Sequence, residues 1–249
     1  ALFRSLDGVV CLDAAMQNLL QSRYAPASRQ IEWDVIPNWE PRDRFPARAH
    51  VDPWIEYARP ELSGRMVILY MGNAGAGHRF ETVLKAARDL SADPIAFVFV
   101  GGGSKWPILQ AEAQATELVN MFFYNYIPDE LLLPVMAGAS CALITLHDHA
   151  LGVISPSKMH AYLAMGLPLV YIGPEGSNVD VAIQRFDLGI SLRQSDSYSL
   201  AAFIRRLQTE PALLQAYRQR ARTAFEAAYS DRIGLDAFDS FIARFAQQD

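Results

Sequence analysis

The chain has 249 residues, of which 51% are hydrophobic and 20% charged, and its formal net charge is −5. This composition is typical of a globular protein with a substantial core. The net negative charge does not indicate nucleic-acid binding. Cys11 and Cys141 lie far apart in apolar runs, which predicts neither a disulfide framework nor a metal cluster and favours a reducing cytoplasm. No apolar run approaches the roughly 20 residues that span a bilayer.

The sequence of the first forty residues predicts short strands and helices that have no hydrophobic core of their own. It has neither an initiator methionine nor a signal-peptide pattern, and we expect the chain to be a piece of a longer protein. Residues 1–40 predict a strand at 8–12, a helix capped by Asp13 and a strand at 31–36. Residues 41–64, with four prolines among charges and a short helix around Trp54, Ile55 and Tyr57, are predicted to be a linker.

From residue 66 onward, apolar strands alternate regularly with helices. The predicted strands cover residues 66–71, 95–100, 119–124, 140–146, 169–172 and 189–192. The predicted helices cover residues 80–90, 106–115, 128–136, 179–186, 199–208, 211–228 and 234–245. This alternation predicts an α/β fold with a doubly wound, mostly parallel, Rossmann-like sheet over residues 65–249.

Residues 152–172 predict a loop, a short helix, a turn and a buried strand. Pro156 suits the first turn of the helix, Ser155 or Ser157 can cap it, and Gly166 fits a left-handed C-terminal cap. Free N–H groups, hydroxyls and the Lys158 ammonium at one place predict an anion site, above all for phosphate. The alternative is an ordinary loop-helix-strand unit with a surface lysine.

The loop after the first strand of this domain is a second candidate for phosphate binding. In such sheets, ligands bind beyond the carboxyl ends of the strands. This loop contains glycines that allow close backbone approach, together with polar residues: Gly72, Asn73, Gly75, His78 and Arg79. Its spacing matches neither a dinucleotide fingerprint nor a Walker A loop, and a flexible turn with exposed His78 and Arg79 is an equal alternative.

Three further strand ends carry glycine-rich or polar loops. One holds Gly101 and Gly102, and another holds Asn125 and Tyr126, whose backbone groups can face a nucleobase. Residues 147–149 (HDH) could ligate a metal, but no third cluster supports this, and we interpret them as a polar loop with no metal site. The convergence of these loops on one sheet edge predicts several donors for a phosphate-bearing ligand.

Residues from about 66 to 230 resemble the C-terminal, donor-binding domain of GT-B glycosyltransferases of the retaining family 4 type (glycosyl transferases group 1). Four motifs carry the resemblance: 69–73 (LYMGN), 99–103 (FVGGG), 126–128 (YIP) and 156–170 (PSKMHAYLAMGLPLV). The Pro-Ser-Lys version is similar to that of bacterial enzymes that build surface polysaccharides and lipid-linked glycans. Residues 1–40 resemble the end of the family's N-terminal acceptor domain and its crossover.

The resemblance implies a nucleotide-diphosphate sugar, UDP- or GDP-linked, as donor substrate, with no cofactor and no divalent metal. It places the loop from Gly72 to Arg79 near the diphosphate and implies that Ser157 and Lys158, beside Ser155, neutralise the leaving phosphate. The nucleoside would be bordered by Gly101, Gly102, Asn125 and Tyr126. A glycan or lipid-linked acceptor would be held by an N-terminal domain that is mostly absent here. The setting implied is cytoplasmic, at the inner face of the cell membrane, with any peripheral membrane contact outside this chain.

Two departures from the family's pattern bear on activity. The family's two glutamates, which flank the donor sugar and the ribose, correspond to Val153 and Ala161, so Ala161 stands at the ribose position without a carboxylate. Ala76 stands where the diphosphate loop often has a basic residue, and Arg79 or His78 can substitute. The leading hypothesis is a glycosyltransferase donor domain, poorly active by itself. The alternative is a non-catalytic binding or scaffold module, and a sugar-nucleotide epimerase is disfavoured by the transferase-type Pro-Ser-Lys stretch.

Overall fold

The computed structural model describes residue 3 and residues 5–25, 30–54 and 59–246. The first strands, β1 (Gly8–Cys11) and β2 (Glu32–Val35), form a small parallel sheet connected by helix α1 (Ala14–Tyr24). The predicted cap is confirmed, because the Asp13 carboxylate accepts a hydrogen bond from the Met16 N–H at 2.7 Å. Within the described residues, no helix is both long enough and apolar enough to cross a membrane.

The main sheet confirms the predicted α/β class. Its strands are β3 (Met66–Asn73), β4 (Ile95–Gly102), β5 (Met121–Tyr124), β6 (Cys141–Thr145), β7 (Leu169–Ile172) and β8 (Gly189–Leu192). They run parallel in the order β5-β4-β3-β6-β7-β8. Counted from β3, this is the doubly wound order 3-2-1-4-5-6, which reverses between β3 and β6.

Helices connect the strands close to where the sequence places them. They are α2 (Glu81–Asp89), α3 (Trp106–Ala115), α4 (Leu132–Gly138), α5 (Lys158–Ala164), α6 (Asn178–Phe186), α7 (Ser197–Thr209), α8 (Pro211–Ala224) and α9 (Asp231–Ala243). The predicted helix at 128–136 is instead a 3₁₀ turn, Asp129–Leu131, followed by α4. Pro134 explains the shift, because its missing N–H costs nothing in the first turn of α4 but would interrupt a longer helix. The predicted helix at 211–228 ends at Ala224 and continues as a π-helical turn, Phe225–Tyr229.

The main sheet is covered on both faces, which is why its strands are continuous apolar runs. On β3, Val67, Leu69 and Met71 belong to one buried cluster with residues of α4, α5 and α8. The alternate residues of β3, including Ile68 and Tyr70, belong to a second cluster with residues of α2, α3 and α7. The period-2 alternation of a strand therefore divides the core into two layers.

The segment predicted as a linker is packed onto the main sheet. Phe45, Trp54 and Leu62 are buried in the first of the two clusters. The Trp54 ring meets the Tyr124 ring edge-on at 5.3 Å, and the Arg59 guanidinium lies 4.8 Å from the Trp54 centroid. Of the helix predicted here, Ile55 and Tyr57 lie outside the described residues.

The last helix holds the small N-terminal sheet against the larger unit. A Cβ at Gly8 would lie 2.5 Å from the Phe245 ring, so this glycine permits close packing after α9. The Trp39 and Phe238 rings meet at 5.6 Å, and Arg244 forms an ion pair with Asp34 at 2.6 Å. The first forty residues therefore bury apolar surface against the C-terminal helix.

Candidate functional site at the carboxyl ends of β3 and β6

Two adjoining cavities lie where the strand order reverses. One, of about 230 Å³, is lined by the ends of β3 and β4, by Tyr126 to Asp129 and by Lys158. The other, of about 180 Å³, is lined by the end of β3, His78, two β6 residues and the stretch from Ile154 to Lys158. Met71, Gly72 and Lys158 line both. In doubly wound sheets, this crevice outside the carboxyl ends of the strands is the place where ligands bind.

Glycines bring the β3 and β4 loops into close contact behind the cavities. A Cβ at Gly101, whose φ is +139°, would lie 2.1 Å from the Gly72 carbonyl oxygen, so only glycine fits there. A Cβ at Gly102 would lie 3.0 Å from the Tyr126 ring, which stands over this residue. The Ala74 N–H also donates to the Gly102 carbonyl at 2.7 Å. Gly101 and Gly102 thus support the site from behind, whereas Gly72 and Tyr126 line it.

Lys158 is a cation without a protein partner in the described part of the chain, where its ammonium makes neither a hydrogen bond nor an ion pair. Ser157 precedes it at the start of α5, but the predicted cap is absent, since the Ser157 hydroxyl makes no capping hydrogen bond. A hydroxyl and an ammonium are therefore available at the cavity walls. Burial raises the pKa of the nearby Glu40, and the charges of Arg44 and then Lys158 counteract that rise.

The Tyr162 hydroxyl fixes α5 beneath the end of β3. The ladder between β3 and β6 pairs only Ile68 and Leu69, so it stops before the site. Beyond it, the Met71 N–H donates to the Tyr162 hydroxyl at 3.0 Å, and this hydroxyl lies 3.3 Å from the Met71 carbonyl oxygen. Burial raises the pKa of Tyr162, so the phenol is neutral. Lys158, one turn earlier on α5, is positioned through this contact.

His78 is a neutral wall of the smaller cavity rather than a cation. Its Nδ1 lies 2.8 Å from the Thr145 carbonyl oxygen, and burial lowers the pKa of the imidazole. The Lys105 ammonium donates to the His78 carbonyl at 2.6 Å. Arg79 lines neither cavity and pairs with Glu81 at 3.3 Å. In this arrangement Lys158 is the cation that lines both cavities.

The structure brings together most, but not all, of the predicted site residues. Those that line a cavity are Gly72, Asn73, His78, Tyr126, Ser155, Ser157 and Lys158. Gly75 and the exposed Asn125 line neither cavity, and Ala161 is 2% exposed within the core. Val153 is 62% exposed beside the site. Neither position of the family's glutamate pair therefore presents a polar side chain to these cavities.

Asp129 and Ile154 are among the cavity-lining residues that the sequence did not single out as site residues. Asp129 lines the larger cavity and forms an ion pair with Arg44 at 2.9 Å. Ile154 lines the smaller one, and its Cδ1 would lie 2.3 Å from a Cβ at Gly77. The signal for Asp129 was its place directly after the 126–128 motif, whereas the contact between Ile154 and Gly77 is long-range and leaves no local signal.

The histidine loop lies beside the site. The His147 N–H donates to the Gly77 carbonyl at 2.7 Å, and the His147 and His149 rings lie 3.6 Å apart. Among the residues that the structure describes, no three metal-ligating side chains of histidine, cysteine, aspartate or glutamate converge on one point. Cys11 and Cys141 are both buried free thiols.

Comparison with known families agrees with this geometry. The sequence matches the family model described as Glycosyl transferases group 1 over residues 56–224. The chain belongs to this family. It is 23% identical over 238 residues to the probable glycosyltransferase WbjE of Pseudomonas aeruginosa, covering 95% of this chain and 58% of that protein. It is 29% identical over 165 residues to the putative colanic acid biosynthesis glycosyl transferase WcaI of Escherichia coli, covering 65% of this chain and 39% of that protein.

Solved structures show the same GT-B architecture. A sucrose-phosphate synthase from Thermosynechococcus elongatus has a TM-score of 0.75 at 18% identity, covering 97% of this chain and 59% of that one. The Anabaena protein HepE, in complex with UDP-glucose, has a TM-score of 0.74 at 12% identity, covering 95% of this chain and 64% of that one. The chain therefore spans about six tenths of these two structures, and at such identity the likeness concerns the fold.

Proposed function

We propose that this chain is the C-terminal, donor-binding part of a retaining family 4 glycosyltransferase that transfers a sugar from a nucleotide-diphosphate sugar to a glycan or lipid-linked acceptor. The observation that carries the proposal is the unpartnered Lys158 at the junction of two cavities at the strand-order reversal. In this proposal, residues 1–40 end the acceptor domain, 41–64 connect the two domains, and 65–249 bind the donor. The reaction is cytoplasmic, at the inner face of the membrane where the acceptor is lipid-linked.

The proposed roles follow from where charge develops in the reaction. Breaking the bond between the sugar and the diphosphate leaves negative charge on the leaving phosphate, and Lys158 and Ser157 stand where they can stabilise it. The backbone at Gly72 and Asn73 approaches the diphosphate, and Tyr126 stacks on the base. We favour UDP over GDP because HepE, which has the same fold, was crystallised with UDP-glucose.

One observation favours a second function, a GT-B module that binds without catalysis. Asp129 is the single carboxylate lining the two cavities in the described residues, and Arg44 already neutralises it. Val153 and Ala161 supply no carboxylate to hold sugar or ribose hydroxyls. Such a module would bind nucleotide through Lys158 without turnover.

Calorimetric titration with UDP and GDP tests the donor site. We expect UDP to bind and Lys158→Ala to weaken it roughly tenfold or more, since a hydrogen bond to a charged group contributes about 1.5–3 kcal/mol. Lys85→Ala, which removes an exposed lysine on α2, is the matched control and should leave affinity unchanged. The absence of heat with either nucleotide at millimolar concentration would refute the donor site.

A transfer assay with the longer natural protein separates the two functions. An active transferase should release UDP from UDP-glucose in the presence of an acceptor, and Lys158→Ala should lower that rate. UDP binding without release in the unmodified protein would instead support the non-catalytic module.

A further inference from the structure

A large cavity lies at the other end of the fold. Its volume is about 760 Å³, and it lies between residues 47–53, the C-terminal ends of α4 and α5, and α8. The wall from α5 is formed by Ala164, Met165 and Gly166, about 10 Å along that helix from Lys158. This cavity shares no lining residue with the candidate donor site, so a ligand bound here does not depend on the proposed function.

Three guanidinium groups line this cavity, and the fold accounts for two of them. Arg48 donates to the Met136 and Ala139 carbonyls, at 3.2 and 2.5 Å, at the end of α4. Arg222 donates to the Ala164 carbonyl at 2.6 Å, at the end of α5, and its Nε donates to Glu226 at 2.8 Å. Cations at helix C-termini satisfy carbonyls that have no partner within the helix, so Arg48 and Arg222 have a structural role.

Arg218 has no such explanation. In residues 5–25, 30–54 and 59–246 its side chain has no hydrogen-bond acceptor and no ion-pair partner, and its Nε is buried. Burial lowers the pKa of Arg218, while burial and then the charge of Arg218 lower the pKa of Arg48 to about 9. Two guanidiniums thus repel each other across a cavity. Of the two acids that line it, Glu226 is paired with Arg222, and Asp52 is exposed and bonds to neither arginine.

The shape and chemistry of the cavity select a class of ligand. A guanidinium offers a planar set of N–H donors that matches the oxygens of phosphate, and a partly buried cation without a partner is stabilised when an anion meets it. The volume exceeds what inorganic phosphate fills and falls within the range of small-molecule sites. Apolar walls from Val51, Pro53, Ala137 and Met165 can accommodate the organic part of such a ligand.

We propose that this cavity binds a small phosphate ester through Arg218, with Arg48 and Arg222 beside it. The bound phosphate would connect residues 47–53 to α8 and would relieve the repulsion between Arg48 and Arg218. Both a soluble phosphate ester and a lipid headgroup carry this chemistry, and they are distinguished by the two probes used below.

Binding of glycerol 3-phosphate, measured by calorimetry, tests the proposal. We expect Arg218→Gln to weaken binding at least tenfold. Arg218→Lys, which keeps the positive charge, should weaken it less. Arg220→Gln is the matched control, since Arg220 lies on the same helix but pairs with Asp187 at 3.2 Å. Lys158→Ala should leave the binding that depends on Arg218 in place, because it removes the cation of the donor site alone. Melting temperatures in phosphate-free buffer verify that each variant is folded.

Co-sedimentation with phosphatidylcholine vesicles, with and without phosphatidic acid, tests whether the ligand is a lipid headgroup. Retention that needs both phosphatidic acid and Arg218 assigns the site to a lipid headgroup, whereas binding of glycerol 3-phosphate alone assigns it to a soluble ester. The proposal is overturned if neither probe binds, if Arg218→Gln binds as well as the unmodified chain, or if Lys158→Ala abolishes the binding.

Discussion

The two ends of the parallel sheet present cations in different ways. At the carboxyl ends of β3 and β6, one ammonium, Lys158, lines two cavities whose other walls are glycines, neutral side chains and Asp129, which is paired with Arg44. At the amino end, three guanidiniums line one larger cavity, and Arg48 and Arg222 donate to carbonyls at the ends of α4 and α5. The helices that connect the strands begin at the carboxyl end of the sheet and end at its amino end. Their C-terminal carbonyls attract cations, which explains why the guanidiniums lie at the amino end.

The difference shows that a positive charge is informative only after its partners are known. Arg48 and Arg222 are accounted for by the carbonyls that they satisfy, and Arg79 by Glu81. Lys158 and Arg218 have no such partner among the described residues, and each therefore marks a place where an anion would complete the structure. If the two ends are independent, a substitution at one end should leave ligand binding at the other end unchanged.

The largest effect is expected at Gly101 and Gly189, which lie at opposite ends of the parallel sheet. At each of them a neighbouring strand leaves no room for a Cβ. A Cβ at Gly101 would lie 2.1 Å from the Gly72 carbonyl oxygen, and one at Gly189 would lie 2.1 Å from that of Leu169. We expect each alanine variant to lower the free energy of unfolding by about 3 kcal/mol or more, measured by urea denaturation. Gly64→Ala, at φ +74° in open space, should cost only about 1–2 kcal/mol.

UDP binding distinguishes the Gly101 variant from the Gly189 variant. Under conditions where both variants remain folded, Gly101→Ala should weaken UDP binding and Gly189→Ala should not. Equal losses of affinity would show that the glycines act through global stability and not through the geometry of the carboxyl end.

A second prediction concerns α5, the helix that joins the two ends. Burial lowers the pKa of His160 to about 4, and its Nδ1 bonds the Ser157 carbonyl at 2.8 Å. The unfolded chain therefore binds a proton that the folded chain rejects between about pH 6.5 and pH 4. We expect stability to fall by up to about 3 kcal/mol as the pH drops through this window.

His160→Gln removes the titrating group, and the loss of stability with acid should become shallower by that amount. His50→Gln, at an exposed position, should keep the original slope. Denaturant midpoints measured from pH 7 to pH 4 provide the comparison, and identical slopes for the His160 variant and the unmodified chain would contradict the prediction.

A third prediction concerns the contact that positions Lys158. Tyr162→Phe leaves the buried Met71 N–H without its acceptor, so we expect a loss of about 1–3 kcal/mol in stability. UDP affinity should also fall, because the end of β3 loses its attachment to α5. Tyr171→Phe, which loses one 3.3 Å bond to the Pro174 carbonyl, is the control and should leave UDP affinity unchanged.

The smallest effect is expected at Arg79. Its side chain is about one-third exposed and pairs with Glu81 outside both cavities, and pairs of this kind contribute about 0–1 kcal/mol. We expect Arg79→Gln to change UDP affinity less than threefold, against roughly tenfold for Lys158→Ala. A larger loss at Arg79 than at Lys158 would show that the donor diphosphate lies further along the β3 loop.

The fold was predictable because its signals are local. Continuous apolar strands such as 95–100, the exact span of α3 and the Gly166 cap, at φ +65°, all follow from short-range patterns. The start of α4 at Leu132 was missed although Pro134 is a local signal for it. The π-helical turn after Ala224 was missed because packing in the surrounding structure decides between several helical continuations.

The candidate site was predictable as a set of loops but not as a geometry. Strand-end position sufficed to select Gly72, Tyr126 and Lys158. It did not show that burial keeps His78 neutral beside the Thr145 carbonyl or that Ala161 is buried, because these depend on contacts between distant segments. The roles of these residues in donor binding remain predictions.

The most direct test is an amide NMR titration of the isotopically labelled chain with UDP. The account predicts that the largest shifts occur at Gly72, Gly101, Tyr126 and Lys158, and that amides around Arg218 do not move at the same UDP concentrations. Shifts centred on Arg48, Arg218 and Arg222, with none around Lys158, would contradict the placement of the donor site at the carboxyl ends of β3 and β6.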